Sequence, residues 1–118
     1  MHKIGTDIVE VERIRILIDR YHFKFLNKIF TSEEIAYCNT HKDPSIHFAG
    51  RFSAKEAVKK ALSGKHGNTL FRYNGIKIIN NENGRPHIKI KSLPMENIDI
   101  SISHTSTHAI SVAILSDA

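Results

Sequence analysis

The sequence contains no tryptophan and a single cysteine, Cys38. One cysteine cannot close an internal disulfide, and it excludes a multi-cysteine zinc site. Both facts suit a reducing compartment. Nothing around Cys38 marks an activated thiol, so it reads as a small buried hydrophobe. No stretch approaches the ~20 apolar residues needed to span a bilayer. The segment from Met1 to Asp7 has no signal-peptide core, because a carboxylate interrupts it early, so the chain is expected to stay in the cytoplasm. Low-complexity tracts and internal repeats are missing. Neither a Walker loop nor a Rossmann glycine fingerprint is present, which argues against ordinary nucleoside-triphosphate chemistry.

What remains is an ordinary globular composition: 118 residues, 41% hydrophobic and 25% charged. That length predicts one domain, residues 1–118, with surface enough for one core. The formal charge of +5 implies an anionic partner, whether a phosphorylated metabolite, a nucleic acid or an acidic protein.

Apolar periodicity predicts the elements. Ile4 to Val9 reads as a strand, and Val11 to Arg20 as a helix with Val11, Ile14, Leu17 and Ile18 on its apolar stripe. Phe23, Phe25, Leu26, Ile29 and Phe30 form a second apolar cluster. Thr31-Ser32-Glu33-Glu34 has the spacing of a capping box and predicts a short helix through about Tyr37. Asp43-Pro44 starts a long helix, which Ser63-Gly64 is expected to end after Leu62. Alternation then predicts strands at 76–79 and 87–91, with Asn83-Gly84 in the loop between them. Ile98, Ile100 and Ile102 alternate with polar residues, and Ala109 to Leu115 forms the closing strand. Ile110, Val112 and Ile114, with the three preceding isoleucines, are expected to pack on the helices. Ser101, Ser103, Ala109, Ser111 and Ala113 are then left for another subunit. The fold class is α+β, with an N-terminal strand and helices packed on a mostly antiparallel sheet.

Three places break these patterns. Asp7 puts a carboxylate in an apolar strand, where it needs a partner; it could equally cap the following helix. Glu56 and Lys60 lie one turn apart in the long helix, as a solvated ion pair would. Yet Phe52 shares their face while the opposite face carries alanines, so both faces look covered, and a covered glutamate needs a cation. Ser101-Ile102-Ser103-His104-Thr105 ends a strand with hydroxyls and an imidazole, which suit phosphate oxygens or a polar turn. Together, two hard oxygen ligands for Mg2+ and several cations make a parts list for phosphoryl transfer.

Gly5-Thr6-Asp7-Ile8, the run Gly50-Arg51-Phe52-Ser53-Ala54-Lys55-Glu56-Ala57-Val58-Lys59-Lys60-Ala61-Leu62, and Ser101 to Thr105 resemble holo-[acyl-carrier-protein] synthase, the small bacterial class of 4′-phosphopantetheinyl transferases. The resemblance runs nearly end to end, and the long-helix motif is its specific part. It implies transfer of phosphopantetheine from coenzyme A to a serine of an apo acyl carrier protein, serving fatty acid biosynthesis and releasing adenosine 3′,5′-bisphosphate. It implies Asp7 and Glu56 as Mg2+ ligands, Glu56 and Lys60 in catalysis, and Lys60 against the coenzyme A phosphates. Arg51, Gly84, Pro86 and His104 match coenzyme A positions, with Ser103 and Thr105 alongside. The resemblance also implies that the first helix docks an acidic carrier protein, through Arg13 and Arg20, with Lys24 close by. A homotrimer with active sites at subunit boundaries is also implied. Lys65-His66-Gly67 departs from the glycine- and threonine-rich turn of many relatives.

Two rival readings compete. A basic nucleic-acid-binding domain would use the charge and the Lys77, Lys89, Lys91 strand face, but the aromatic RNA-binding motifs, the helix-turn-helix pattern and the zinc spacing are absent. A Mg2+-dependent phosphoanhydride hydrolase would use the same carboxylates without a carrier protein.

Overall fold

The structure is a computed structural model that describes residues 2–94 and 96–116. Its elements are β1 (Lys3–Glu10), α1 (Val11–Tyr21), α2 (Phe23–Ile29), α3 (Ser32–Asn39), α4 (Pro44–His66), a 3-10 turn (Tyr73–Gly75), β2 (Ile76–Asn80), β3 (Pro86–Ile90), β4 (Asn97–His104) and β5 (His108–Ser116). Strand β1 joins the C-terminal strands in an antiparallel sheet ordered β1-β5-β4, while β2 and β3 form a separate antiparallel hairpin. The class is α+β, as the sequence predicts.

Helix α4 is the spine. Its Ala54, Ala57 and Ala61 lie fully buried against the sheet. They do so because both sides are small: a Cβ on Gly5 of β1 would stand 1.9 Å from the Ala57 carbonyl oxygen. One core cluster lies between α4 and the N-terminal helices, around Ile14, Phe30 and Phe48; the other lies between α4 and the strands, around Leu62, Ile76 and Leu115.

This close packing overturns the expected facing of β5. Ala109, Ser111, Ala113 and Leu115 point at α4 and are buried, with Ile100 of β4 buried and Ile98 and Ile102 half-buried on the same side. Ile110 and Ile114 point outward with Ile4 and Ile8 of β1, at 46%, 38%, 66% and 64% exposure. The small residues face the helix because the backbone separation leaves no room for isoleucine there.

Helix α4 also runs one turn past its predicted end. Gly64 stays helical instead of turning the chain, and a Cβ there would stand 3.1 Å from the Lys3 side chain. The helix stops at Gly67, whose φ of +62° suits glycine and whose N–H donates to the Ser63 carbonyl at 3.0 Å. At the other end, Asp43 makes no side-chain cap and faces Arg15 at 3.3 Å. Asn83-Gly84 lies in a longer connection, closed by the Asn81 N–H on the Arg85 carbonyl, with Gly84 at φ +82°.

The capping box of α3 forms as predicted, and its Glu34 does more than cap. Buried Lys55 donates to Glu34 Oε1 at 2.7 Å, and the Ile78 N–H donates to Oε2 at 2.7 Å. This pair ties α3, α4 and β2 together. Removing one partner of such a pair costs about 3–5 kcal/mol. Cys38 is buried, and desolvation pushes its thiol up to about 12.

Candidate active site

Strand β1 and helix α4 bring the predicted ionic residues together. Asp7 points toward α4 because its strand neighbours Gly5 and Val9 on the same face are buried there. Lys60, from the helix, reaches Asp7 Oδ1 at 3.5 Å and donates to the Thr6 carbonyl at 2.9 Å. Ser53 donates to the Asp7 carbonyl at 3.1 Å, fixing the strand on the helix. Burial raises the Asp7 carboxyl above its ordinary value; Lys60 opposes this and nearby Glu56 adds to it.

Glu56 does not pair with Lys60. Its Oε1 accepts the phenol proton of Tyr73. The Tyr73 ring stacks on Phe52, with centroids 5.9 Å apart, and the Lys59 ammonium lies 3.5 Å above the ring centroid. Tyr73 is therefore what covers the Phe52–Glu56 face. Burial, reinforced by Glu56, pushes its hydroxyl up to about 12. The lone phenylalanine on that face was the signal for a cover; nothing in the sequence pointed to Tyr73 as its source.

Five residues before Glu56 on α4, Arg51 is buried at 6% exposure. Its guanidinium lies 4.1 Å over the Tyr37 ring and donates to Asn80 Oδ1 at 2.6 Å. Asn80 in turn donates to the Tyr37 hydroxyl and the Gly84 carbonyl. Arg51 Nε is buried without a partner, the one such side-chain atom among the described residues. Arg51, Gly84, Pro86 and His104 line one cavity of about 330 Å³, with Tyr37, Asn80, Arg85 and Ser101. Tyr37 and Asn80 carried no signal in the sequence.

His47 stands edge-on to His104 at 5.7 Å and stacks on His41 at 3.6 Å. Burial first, then His41, Arg51 and His104, lower its proton affinity. Ser103 and Thr105 do not line this cavity. Ser103 points to the outer sheet face opposite Ile110, and the Thr105 hydroxyl accepts from the Thr107 and His108 N–H groups, closing the turn into β5. Arg13, Arg20 and Lys24 are exposed on α1 and α2, and none forms an ion pair among the described residues, whereas Arg15 is held by Glu12 and Asp43.

Among the described residues, no group of three or more His, Cys, Asp and Glu side chains gathers as a metal site. The Asp7–Glu56 pair nevertheless fits Mg2+. Both are hard carboxylate donors, and Mg2+ takes one or two carboxylates with water and substrate phosphate completing its shell.

The chain matches the family model of the 4′-phosphopantetheinyl transferase superfamily over residues 3–114, which sets the class of this fold and site. It is 47% identical over 121 residues to the holo-[acyl-carrier-protein] synthase of Caldanaerobacter subterraneus subsp. tengcongensis, covering 94% of this chain and 91% of that one. It is 40% identical over 114 residues to the synthase of Chlorobaculum parvum, covering 96% and 97%. The crystal structure of Helicobacter pylori holo-[acyl-carrier-protein] synthase in complex with coenzyme A superposes with a TM-score of 0.83 at 36% identity, over 96% of this chain and 99% of that one. The chain belongs to the holo-[acyl-carrier-protein] synthase family.

Proposed function

We propose that this protein transfers 4′-phosphopantetheine from coenzyme A to a serine of an apo acyl carrier protein, acting as one domain and serving fatty acid biosynthesis in the cytoplasm. No helix among the described residues is long and apolar enough to cross a membrane. The observation that carries the reading is Arg51. A buried guanidinium with an unpaired Nε and no carboxylate partner calls for an anion. The cavity beside it is lined by His104 and Arg85, groups suited to a nucleotide's phosphates. Glu56 and Lys60 lie further along the same helix, with Asp7 beside them on β1. Such spacing separates nucleotide binding from the reacting diphosphate.

Arg51, His104 and the Gly84–Pro86 segment hold the nucleotide end of coenzyme A. Asp7 and Glu56 hold Mg2+, which, when bound, supplies charge neutralisation for the diphosphate as its leaving group departs. The carrier serine passes its proton to the Glu56 carboxylate or to water, and its oxygen bonds to the β-phosphorus. The bond from that phosphorus to the bridging oxygen breaks, releasing adenosine 3′,5′-bisphosphate. Lys60 stabilises negative charge that grows on the bridging and phosphoryl oxygens. Arg13, Arg20 and Lys24 attract the acidic carrier.

The assembly we propose is a homotrimer with its sites at subunit boundaries. The exposed isoleucines at 4, 8, 110 and 114 support a covered outer sheet face. The number three follows from the family resemblance. The reading is tested by chromatography of the products formed from coenzyme A and Mg2+. Adenosine 3′,5′-bisphosphate should appear only when apo carrier protein is supplied. Its release with water alone as acceptor would point to the hydrolase instead.

A further inference from the structure

Tyr73 is fixed more firmly than the packing of a loop requires. One face of its ring stacks on Phe52, at an interplanar angle of 18°, and a Lys59 ammonium lies 3.5 Å from the ring centroid. Its backbone is anchored as well. The Tyr73 carbonyl accepts from Lys55 Nζ at 3.0 Å. That ammonium gives its other protons to Glu34 Oε1 and the Ile29 carbonyl, both at 2.7 Å. An ammonium has three donors, so all of Lys55 is committed to holding this corner. Phe52 and Glu56 lie one helical turn apart, so a ring stacked on the first carries its hydroxyl to the second. The phenol makes the only hydrogen bond to the Glu56 carboxylate among the described residues, and it takes Oε1.

We propose that Tyr73 is a positioning residue for Glu56: it occupies one carboxylate oxygen so that the other is presented toward Asp7 as a metal ligand, with Lys55 holding Tyr73 in place. The proposal rests on the reading that Asp7 and Glu56 bind the divalent cation. Ligating carboxylates are commonly held by an outer hydrogen bond, whose loss costs about 10–100-fold in metal affinity. A tyrosine serving only as packing would be replaced by phenylalanine without consequence for the metal, because ring stacking and the Lys59 contact both survive.

The test is Mn2+ binding, followed by electron paramagnetic resonance, in the full-length protein with adenosine 3′,5′-bisphosphate and no carrier, so that no turnover intervenes. Wild type, Tyr73→Phe and Glu56→Gln are compared, each with its thermal midpoint. The expected result is a Kd raised about tenfold or more in Tyr73→Phe, with the midpoint unchanged, and loss of the site in Glu56→Gln. Loss in Glu56→Gln with wild-type affinity in Tyr73→Phe overturns the positioning role alone. Wild-type affinity in Glu56→Gln overturns the ligand assignment, and the positioning role falls with it.

Discussion

Lys60 crosses from α4 to β1 and places its ammonium 3.5 Å from Asp7 Oδ1 while donating to the Thr6 carbonyl at 2.9 Å. The lysine is thus attached to the strand that carries a proposed metal ligand, and it leaves Glu56 to Tyr73. A cation so placed meets charge that grows during transfer, so it contributes more to the transition state than to the bound substrate. Lys60→Ala should lower kcat about 100-fold and move the KM for coenzyme A far less. A change confined to KM would make Lys60 a docking residue only.

Asp7→Asn and Glu56→Ala should each reduce transfer more than about 100-fold, beyond the loss usual for outer partners. Neither should unfold the protein, since neither opens an apolar cavity. Asp7→Asn should even raise the thermal midpoint at neutral pH. The Asp7 carboxyl sits above its ordinary 3.8, so the folded chain holds its proton more tightly than the unfolded chain does. Ionising it therefore costs stability once the pH exceeds that window, and the amide removes the cost. Scanning calorimetry paired with a transfer assay checks both effects. A midpoint lowered by Asp7→Asn would show that the Lys60 contact outweighs desolvation.

The order of elements was legible because the apolar periods change cleanly from strand to helix and back, and Thr31–Glu34 carried its own capping signal. The motif residues Asp7, Glu56 and Lys60 were legible as patterned exceptions. The facing of β5 was not. Isoleucines that alternate along a strand look like core, and only the closeness of α4, which forces Gly5, Ala109 and Ala113 inward, shows that they face out. The Glu56 partner was hidden for a different reason. A lysine one turn away is the nearest candidate in sequence, while Tyr73 comes from the turn after the helix, with its backbone carbonyl held by the buried Lys55. Ser103 and Thr105 lie away from the Arg51 cavity, on the outer sheet face and in the turn into β5, a placement that strand alternation alone did not reveal.

The outward isoleucines give the assembly a direct test. Ile8→Asp and Ile110→Asp place a charge on the exposed sheet face and leave the core untouched. If the wild type assembles as proposed, each should convert it to a monomer by light scattering at micromolar concentration and abolish transfer. A fully active monomeric wild type would rule out sites that depend on a subunit boundary.

Arg13→Glu with Arg20→Glu should raise the KM for carrier protein about tenfold at low salt and leave that for coenzyme A nearly unchanged. The difference from wild type should shrink as salt rises, because exposed charges are screened. If neither constant moves, the carrier docks elsewhere, and the exposed Lys89 strand face becomes the next surface to examine.

The most direct measurement is the intact mass of an apo acyl carrier protein after incubation with this protein, coenzyme A and Mg2+. The account predicts a mass gain of one phosphopantetheine on the acceptor serine, lost when the metal is chelated and absent with Glu56→Ala. A carrier of unchanged mass beside consumed coenzyme A would contradict it.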